Sequence, residues 1–245
     1  MKVLVIGETC KDVFVYGSAH RLAPEAPVPV FEPTQVLSSP GMATNVYRNL
    51  CVLNSDIKLD LVTNVNWEEI TKTRYVDDVT NHMFMRLDEN DNQYGECNLD
   101  DIDVKGYAAI IISDYDKGFL SSSQIQEIAR KNSNIFLDTK KILGAWCNEV
   151  RFIKINKSEY ERTKSCLNDS VLQKLIVTEG PNGARYKGTL YPVENVERKD
   201  SAGAGDTFIA GLVYNFVQTK DVVEAIKFAN QCATAVIQKR GVSTP

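Results

Sequence analysis

The 245-residue sequence predicts an α/β fold: a mostly parallel sheet with helices on both faces. Two observations predict it. Ala109–Ser113, Ile135–Asp138, Phe152–Ile155 and Leu175–Thr178 are short apolar runs separated by polar or amphipathic stretches of helix length, the rhythm of strand–helix–strand units. Asp200-Ser201-Ala202-Gly203-Ala204-Gly205-Asp206-Thr207 then runs straight into a segment whose Phe208, Ile209, Leu212, Val213 and Phe216 recur on one helical face. Ligands of open α/β sheets bind beyond the carboxyl ends of the strands, so the loops after these runs are the places to look for chemistry.

Taken in order, Val3 to Ile6 reads as a buried strand ending at Gly7, and Val13 to Tyr16 as a second extended piece. Pro24, Pro27, Pro29 and Pro33 make Arg21–Thr34 extended or edge-strand, because proline cannot donate to a ladder. Pro40 to Asn45 opens a helix carrying Val46, Leu50 and Leu53. Lys58 to Thr63 is expected as a strand. Thr71–Asp77 and His82–Asp88 alternate as two more, with Met83, Met85 and Leu87 opposite Phe84, Arg86 and Asp88, as suits a small sheet with one face on a ligand. After the four runs named above, a last helix is expected from Val222 to Gln238, ending at Lys239-Arg240 and a C′ glycine, Gly241.

The totals exclude several classes. A net charge of −4 argues against a nucleic-acid surface, which needs clustered positive charge. Six cysteines without a C-x-x-C pair and only two histidines make a zinc site a poor expectation. The thiols read as reduced and mostly buried, as in a cytoplasmic protein. No apolar run approaches the roughly 20 residues that span a bilayer, and the opening Met1-Lys2-Val3-Leu4-Val5-Ile6 is too short for a signal peptide.

The glycine run carries the clearest chemistry. A glycine-rich start to a helix leaves backbone N–H groups aimed outward with the positive end of the helix dipole behind them, a cradle for an anion such as phosphate. An aspartate on that rim repels an anion, but it makes sense as a base taking a proton from a hydroxyl that attacks phosphorus. Asp206 is therefore the candidate base, with Gly203, Ala204 and Gly205 supplying the anion hole. The alternative is a plain helix cap. The pattern is not the dinucleotide fingerprint, since Phe208 stands where its third glycine would fall, and no P-loop or protein-kinase motif is present.

Other strand ends carry reactive types. Asp12 is placed to bind sugar hydroxyls, or is a solvated loop carboxylate; Gly41 permits close approach to a ligand, and Asn45 offers it a donor and an acceptor. Ser113-Asp114-Tyr115-Asp116-Lys117-Gly118, Asp138-Thr139-Lys140-Lys141, Asn156-Lys157-Ser158-Glu159 and Thr178-Glu179-Gly180-Pro181-Asn182-Gly183 each follow one of the four runs. Asn156 and Glu159 serve equally as a helix cap, and Lys117 and Lys140 as solvated lysines.

In this order the motifs resemble those of the ribokinase-like, PfkB-type carbohydrate kinases. The glycine run is similar to D-T-x-G-A-G-D with Ser201 in the threonine's place, and the loops to D-P-K, N-x-x-E and T-x-G-x-x-G. Gly7–Gly17, Arg21–Val30, Pro40–Asn49 and the S-D-Y-x-K-G match look closest to bacterial heptose-7-phosphate kinases, which read G-G-A-A-N-V where this chain has Gly41-Met42-Ala43-Thr44-Asn45-Val46. The resemblance implies a single kinase domain over residues 1–245: a three-layer sandwich plus a small β lid from segments near 11–38 and 71–90, which also pairs subunits into a homodimer. The stretch between Leu61 and Thr71 is shorter than in those enzymes.

It further implies ATP and Mg²⁺, with Asn156 and Glu159 touching the metal through water, and Asp200 as a candidate for holding a monovalent cation such as K⁺. Lys140, Asn156, Thr178, Gly180, Gly183, Gly203 and Gly205 would bind nucleotide. Asp12, Gly41, Asn45, Arg86, Lys117 and Asp206 would bind a sugar or sugar phosphate. A heptose 7-phosphate acceptor would give the 1,7-bisphosphate. The open alternatives are a nucleoside or other small-molecule kinase of the same fold and a non-catalytic sugar- or nucleotide-binding regulator.

Overall fold

The computed structural model describes residues 1–53 and 56–245. The chain begins with β1 (Lys2–Gly7), crosses at once into β2 (Lys11–Leu22) and β3 (Pro29–Pro40), and returns through α1 (Ala43–Leu53) and β4 (Lys58–Val62). A second excursion, β5 (Thr71–Asp77) and β6 (Met83–Glu89), precedes β7 (Ala109–Asp114), α2 (Ser122–Lys131), β8 (Ile135–Thr139), β9 (Phe152–Asn156), α3 (Lys157–Thr163), the single turn α4 (Asp169–Leu172) and β10 (Leu175–Thr178). A hairpin of β11 (Ala184–Tyr186) and β12 (Thr189–Tyr191) leads to α5 (Ala204–Thr219) and α6 (Val222–Val236).

Among the described residues the strands form an eight-stranded sheet, β12-β11-β10-β9-β8-β7-β1-β4, and a four-stranded sheet, β3-β2-β5-β6. From β4 to β10 the large sheet is parallel; β11 and β12 are antiparallel. Alternation along its strands sorts the core into two layers. Leu4, Ile6, Ile110, Ile112, Leu137, Ile153 and Ile155 pack on one face with Ile125 and Ile128 of α2. Val3, Val5, Ile111, Phe136 and Ile176 pack on the other with α1, α5 and α6. The result is the three-layer α/β architecture anticipated from the apolar runs.

The small sheet is mixed: β2 pairs antiparallel with β3 and parallel with β5, and β5 antiparallel with β6. Pro29 and Pro33 lie on its edge strand, β3, which runs on to Pro40, while Pro24 and Pro27 fall in the turn before it, and β2 continues well past Tyr16 to Leu22. A bulge at Gly17 bends the pair; a Cβ there would meet the carbonyl of Glu32 at 2.3 Å. The last helix departs from expectation. It stops at Val236 because the chain turns to let the carbonyl of Ile237 accept the amides of Lys199 and Asp200, and Gly241 (φ +68°) donates instead to the Asp200 carboxylate. The antiparallel β11–β12 hairpin was not foreseen, each strand being only three residues long.

Candidate active site

The start of α5 is the centre of the site. Gly203 is its N-cap at φ +78°, a left-handed conformation that suits glycine, and no side chain caps the helix; the Ala204 amide donates to the Ser201 carbonyl at 3.3 Å. Two cavities meet there. One, of about 420 Å³, is lined by Thr178, Gly180, Gly183, Ser201, Ala204 and Gly205, with Val196, Phe208 and Ile237 as an apolar wall. The other, of about 530 Å³, is lined by Asp12, Met42, Tyr115, Lys140, Gly203 and Asp206, and by charged residues of the small sheet.

Asp206 is 6% exposed. Its Oδ2 accepts from Asn45 Nδ2 at 2.9 Å, and its Oδ1 from the Tyr115 hydroxyl at 2.8 Å. Burial pushes its carboxyl up to about 6; the bonds from Asn45 and Tyr115 oppose that, while nearby Asp138 adds to it and Lys154 subtracts. A buried carboxylate of this kind is poised to take a proton near neutral pH.

Asn45 was expected to face a ligand. Instead it is buried, giving its Nδ2 to Asp206 while its Oδ1 accepts from Asn49, whose own Oδ1 accepts from Thr207. Its side chain thus holds Asp206 Oδ2. Gly41 allows Asp12 to lie against the backbone, since a Cβ there would stand 1.9 Å from Asp12 Oδ2. Asp12 pairs with Arg74 at 2.5 Å. Arg86 pairs with Asp88, and Lys117 with Asp91 at 2.5 Å.

Lys140 lines the second cavity with Asp12 and Asp206, and not the first, which holds Thr178, Gly180 and Gly183. It pairs with Glu159 and lies over the Tyr115 ring, 5.2 Å from the centroid. Burial alone would lower its ammonium, but Asp138 and Glu159 outweigh that and raise it. Asn156 and Glu159 form a complete capping box at the start of α3: Glu159 N–H donates to Asn156 Oδ1, and Asn156 N–H to Glu159 Oε2. Asp200 accepts from the amides of Ala202 and Gly241, tying the glycine loop to the segment after α6.

Several site residues escaped the sequence. Lys72, 6% exposed, bonds both Asp88 and Asp91 from the cavity face of β5. Its neighbour Arg74 and Arg162 of α3 also line that cavity. The signal was present as basic residues on alternate positions of β5, in register with Asp12 through the pair Asp12↔Lys72, but the same pattern describes a solvated strand. Glu8 carries no signal in the sequence. It is buried, and its two oxygens accept the amides of Tyr115 and Lys117 at 2.8 and 3.1 Å. Burial, with Asp114 adding, raises its carboxyl. Among the described residues no three His, Cys, Asp or Glu side chains gather as a metal site.

Comparison with known proteins places these features in context. The profile of the pfkB family carbohydrate kinases matches residues 75–245. The bifunctional protein HldE of Nitratiruptor is 28% identical over 291 residues, covering 99% of this chain and 63% of its own length, so the chain spans about three fifths of that relative. Among solved structures, ribokinase of Thermotoga maritima superposes with a TM-score of 0.69 at 14% identity, over 98% of this chain and 94% of that one. A nucleoside kinase of Methanocaldococcus jannaschii does so at 0.70 and 17%, over 98% and 93%. At these identities the structures speak for the fold.

Proposed function

The chain belongs to the pfkB family of carbohydrate kinases, and on that premise we propose that it transfers the γ-phosphoryl group of ATP to a hydroxyl of a sugar or sugar phosphate, with Asp206 as the base. The observation that carries the reading is the meeting of the two cavities on consecutive residues: Ala204 and Gly205 line one, Gly203 and Asp206 the other. A nucleotide in the first cavity would lay its phosphates on the amides at the start of α5, with the acceptor hydroxyl beside Asp206. Phosphoryl transfer needs positioning and neutralised charge rather than a covalent intermediate, and these parts supply both.

Each residue then has a task. Asp206 takes the acceptor's proton. The amides after Gly203 hold the charge that develops, and the Lys154 ammonium, so close that a Cβ on Gly205 would stand 2.9 Å from Nζ, adds positive charge behind them. Lys154 is itself held by Asp138 Oδ2 at 2.8 Å, leaving Asp138 Oδ1 buried without a partner. That oxygen and Glu159 fit a hydrated magnesium ion, which keeps most of its waters and binds through few carboxylates; when bound, it would supply charge neutralisation at the phosphates. The Asp200 carboxylate, with two amide donors, is a candidate neighbour for a monovalent cation. The apolar wall of Val196, Phe208 and Ile237 suits a nucleotide base.

The charge of the acceptor cavity argues for a phosphorylated acceptor. Its wall carries Lys72, Arg74, Arg86, Lys117, Lys140 and Arg162 against the carboxylates of Asp12, Asp88, Asp91 and Asp206, a positive excess that suits a phosphate more than a neutral sugar or nucleoside. A heptose 7-phosphate is the acceptor named by the resemblance. The opposite face of the small sheet exposes Val36, Met85 and Leu87, as suits a lid that pairs two copies of the chain. A cytoplasmic location accords with the free cysteines and with the finding that no described helix is long and apolar enough to cross a membrane.

The test is ATP consumption over a panel of sugars and their terminal phosphates, including a seven-carbon 7-phosphate. Higher kcat/KM with a free sugar than with its phosphate would overturn the acceptor assignment. No turnover with any sugar, with ATP still bound, would favour the regulatory reading.

A further inference from the structure

We propose that Tyr115 is a positioning residue for Asp206: its hydroxyl fixes the rotation of the carboxylate and holds it ionised, so that the second lone pair of Oδ1 stays aimed into the acceptor cavity. The proposal rests on reading Asp206 as the base.

The geometry that carries it is a chain of fixed groups. Asp206 Oδ2 is tied from one side by Asn45, which the Asn49–Thr207 bond holds in turn. Oδ1 is tied from the other side by Tyr115 Oη at 2.8 Å. With one donor on each oxygen the carboxylate cannot rotate, and Oδ1 is the oxygen whose donor also lines the acceptor cavity. Tyr115 cannot drift either. The buried carboxylate of Glu8 takes the amides of both Tyr115 and Lys117, clamping the loop that carries the ring, and the Lys140 ammonium lies 5.2 Å from the ring centroid. A tyrosine used only for packing would not need its hydroxyl on a buried carboxylate.

The charges facing Asp206 divide the electrostatic work. Asp138 on β8 disfavours ionisation; Lys154 on β9 and Lys140 beyond β8 favour it, while Asp12 on β2 bears on the Tyr115 phenol and Arg74 on β5 lines the same cavity. Burial is the largest influence and acts against the charged form. The tyrosine is thus one of two neutral donors that keep Asp206 ionised at neutral pH, and its phenol, raised well above its ordinary range by burial and by Asp206 itself, stays a donor throughout the working range.

The experiment compares Tyr115→Phe, Asp206→Asn and the unaltered protein with the best acceptor from the panel above. Losing the donor should move the acid limb of the kcat profile up by about one pH unit. Since ionised fraction changes tenfold per unit below the pKa, turnover should fall roughly tenfold at pH 5.5 but less than about threefold at pH 8.5, with acceptor KM little changed. Carbon-13 NMR titration of the Asp206 carboxyl in the free protein reads the same shift without turnover. An unmoved acid limb and an unmoved carboxyl titration in Tyr115→Phe, with Asp206→Asn inactive, would overturn the proposal. Near-native turnover in Asp206→Asn would instead remove the base on which it rests.

Discussion

A Cβ on Gly203 would stand 2.8 Å from Asn45 Nδ2, the nitrogen that donates to Asp206. The glycine is thus required twice, once for its positive φ and once because nothing larger fits beside the residue that holds Asp206. Gly203→Ala should lower stability by about 1–2 kcal/mol through the left-handed backbone, and reduce kcat by at least tenfold as Asn45 is pushed aside. Chemical denaturation and turnover check the two effects separately; native kcat would show that Asn45 does not need this place.

Asp206→Asn should divide function from stability. The group's value of about 6 lies above its ordinary 3.8, so the folded protein holds the proton more tightly than the unfolded chain. That stabilisation is complete below about pH 3.8 and is lost as pH rises through 6. At neutral pH the ionised carboxylate therefore costs up to about 3 kcal/mol. The asparagine variant should lose about 10²–10⁴-fold in turnover with ATP affinity retained, yet melt a few degrees higher at pH 8, the advantage shrinking toward pH 4. Scanning calorimetry at the two pH values decides it; a lower Tm at pH 8 contradicts the prediction.

Glu159 joins a capping box to the magnesium role proposed for it, and Glu159→Gln separates the two. The amide keeps an oxygen for the Asn156 N–H, so α3 should keep its start. The magnesium concentration for half-maximal rate should rise several-fold as the charge near the metal falls. If the magnesium titration is unaltered, the side chain is a cap alone.

Met42 sits at φ +57°, 3% exposed, with its sulfur 3.7 Å from the Tyr94 hydroxyl, and forms part of the wall of the cavity that Asp206 lines, the proposed acceptor site. The structure explains why glycine would suit this position: the backbone is left-handed. Met42→Gly should relieve about 1 kcal/mol of strain but lose roughly 2–5 kcal/mol of buried side chain, a net loss of stability. The enlarged cavity should improve kcat/KM for a seven-carbon over a five-carbon acceptor by about tenfold. Unchanged acceptor preference would make Met42 a packing residue only.

What could be read from the chain was local. Apolar runs located β7 to β10, and the glycine run located the N-terminus of α5 and its aspartate, because strand burial and helix-end chemistry are written in adjacent residues. The capping box at Asn156 was readable for the same reason. What stayed hidden was paired across distance. Asn45 and Tyr115 meet Asp206 from 161 and 91 residues away, so nothing near either announces the contact. Glu8 looks like an ordinary loop carboxylate until the strand beside it brings the amides of residues 115 and 117 to its oxygens. Lys72 and Arg74 acquire meaning only once β5 lies alongside β2.

That pairing of β2 with β5 has a consequence for how the protein folds. Lys11 lies opposite Thr71, so the small sheet joins two hairpin halves that leave the large sheet separately. Their exits are fastened where the Thr9 amide donates to Asn64 Oδ1 and Asn64 Nδ2 to the Thr9 carbonyl. Closing so long a stretch of chain costs entropy that neither hairpin recovers alone. Once β1 and β4 have paired, the two exits already stand side by side and that cost has been met. The small sheet should therefore assemble last, and its amides should exchange with deuterated solvent sooner than those of β1 and β7.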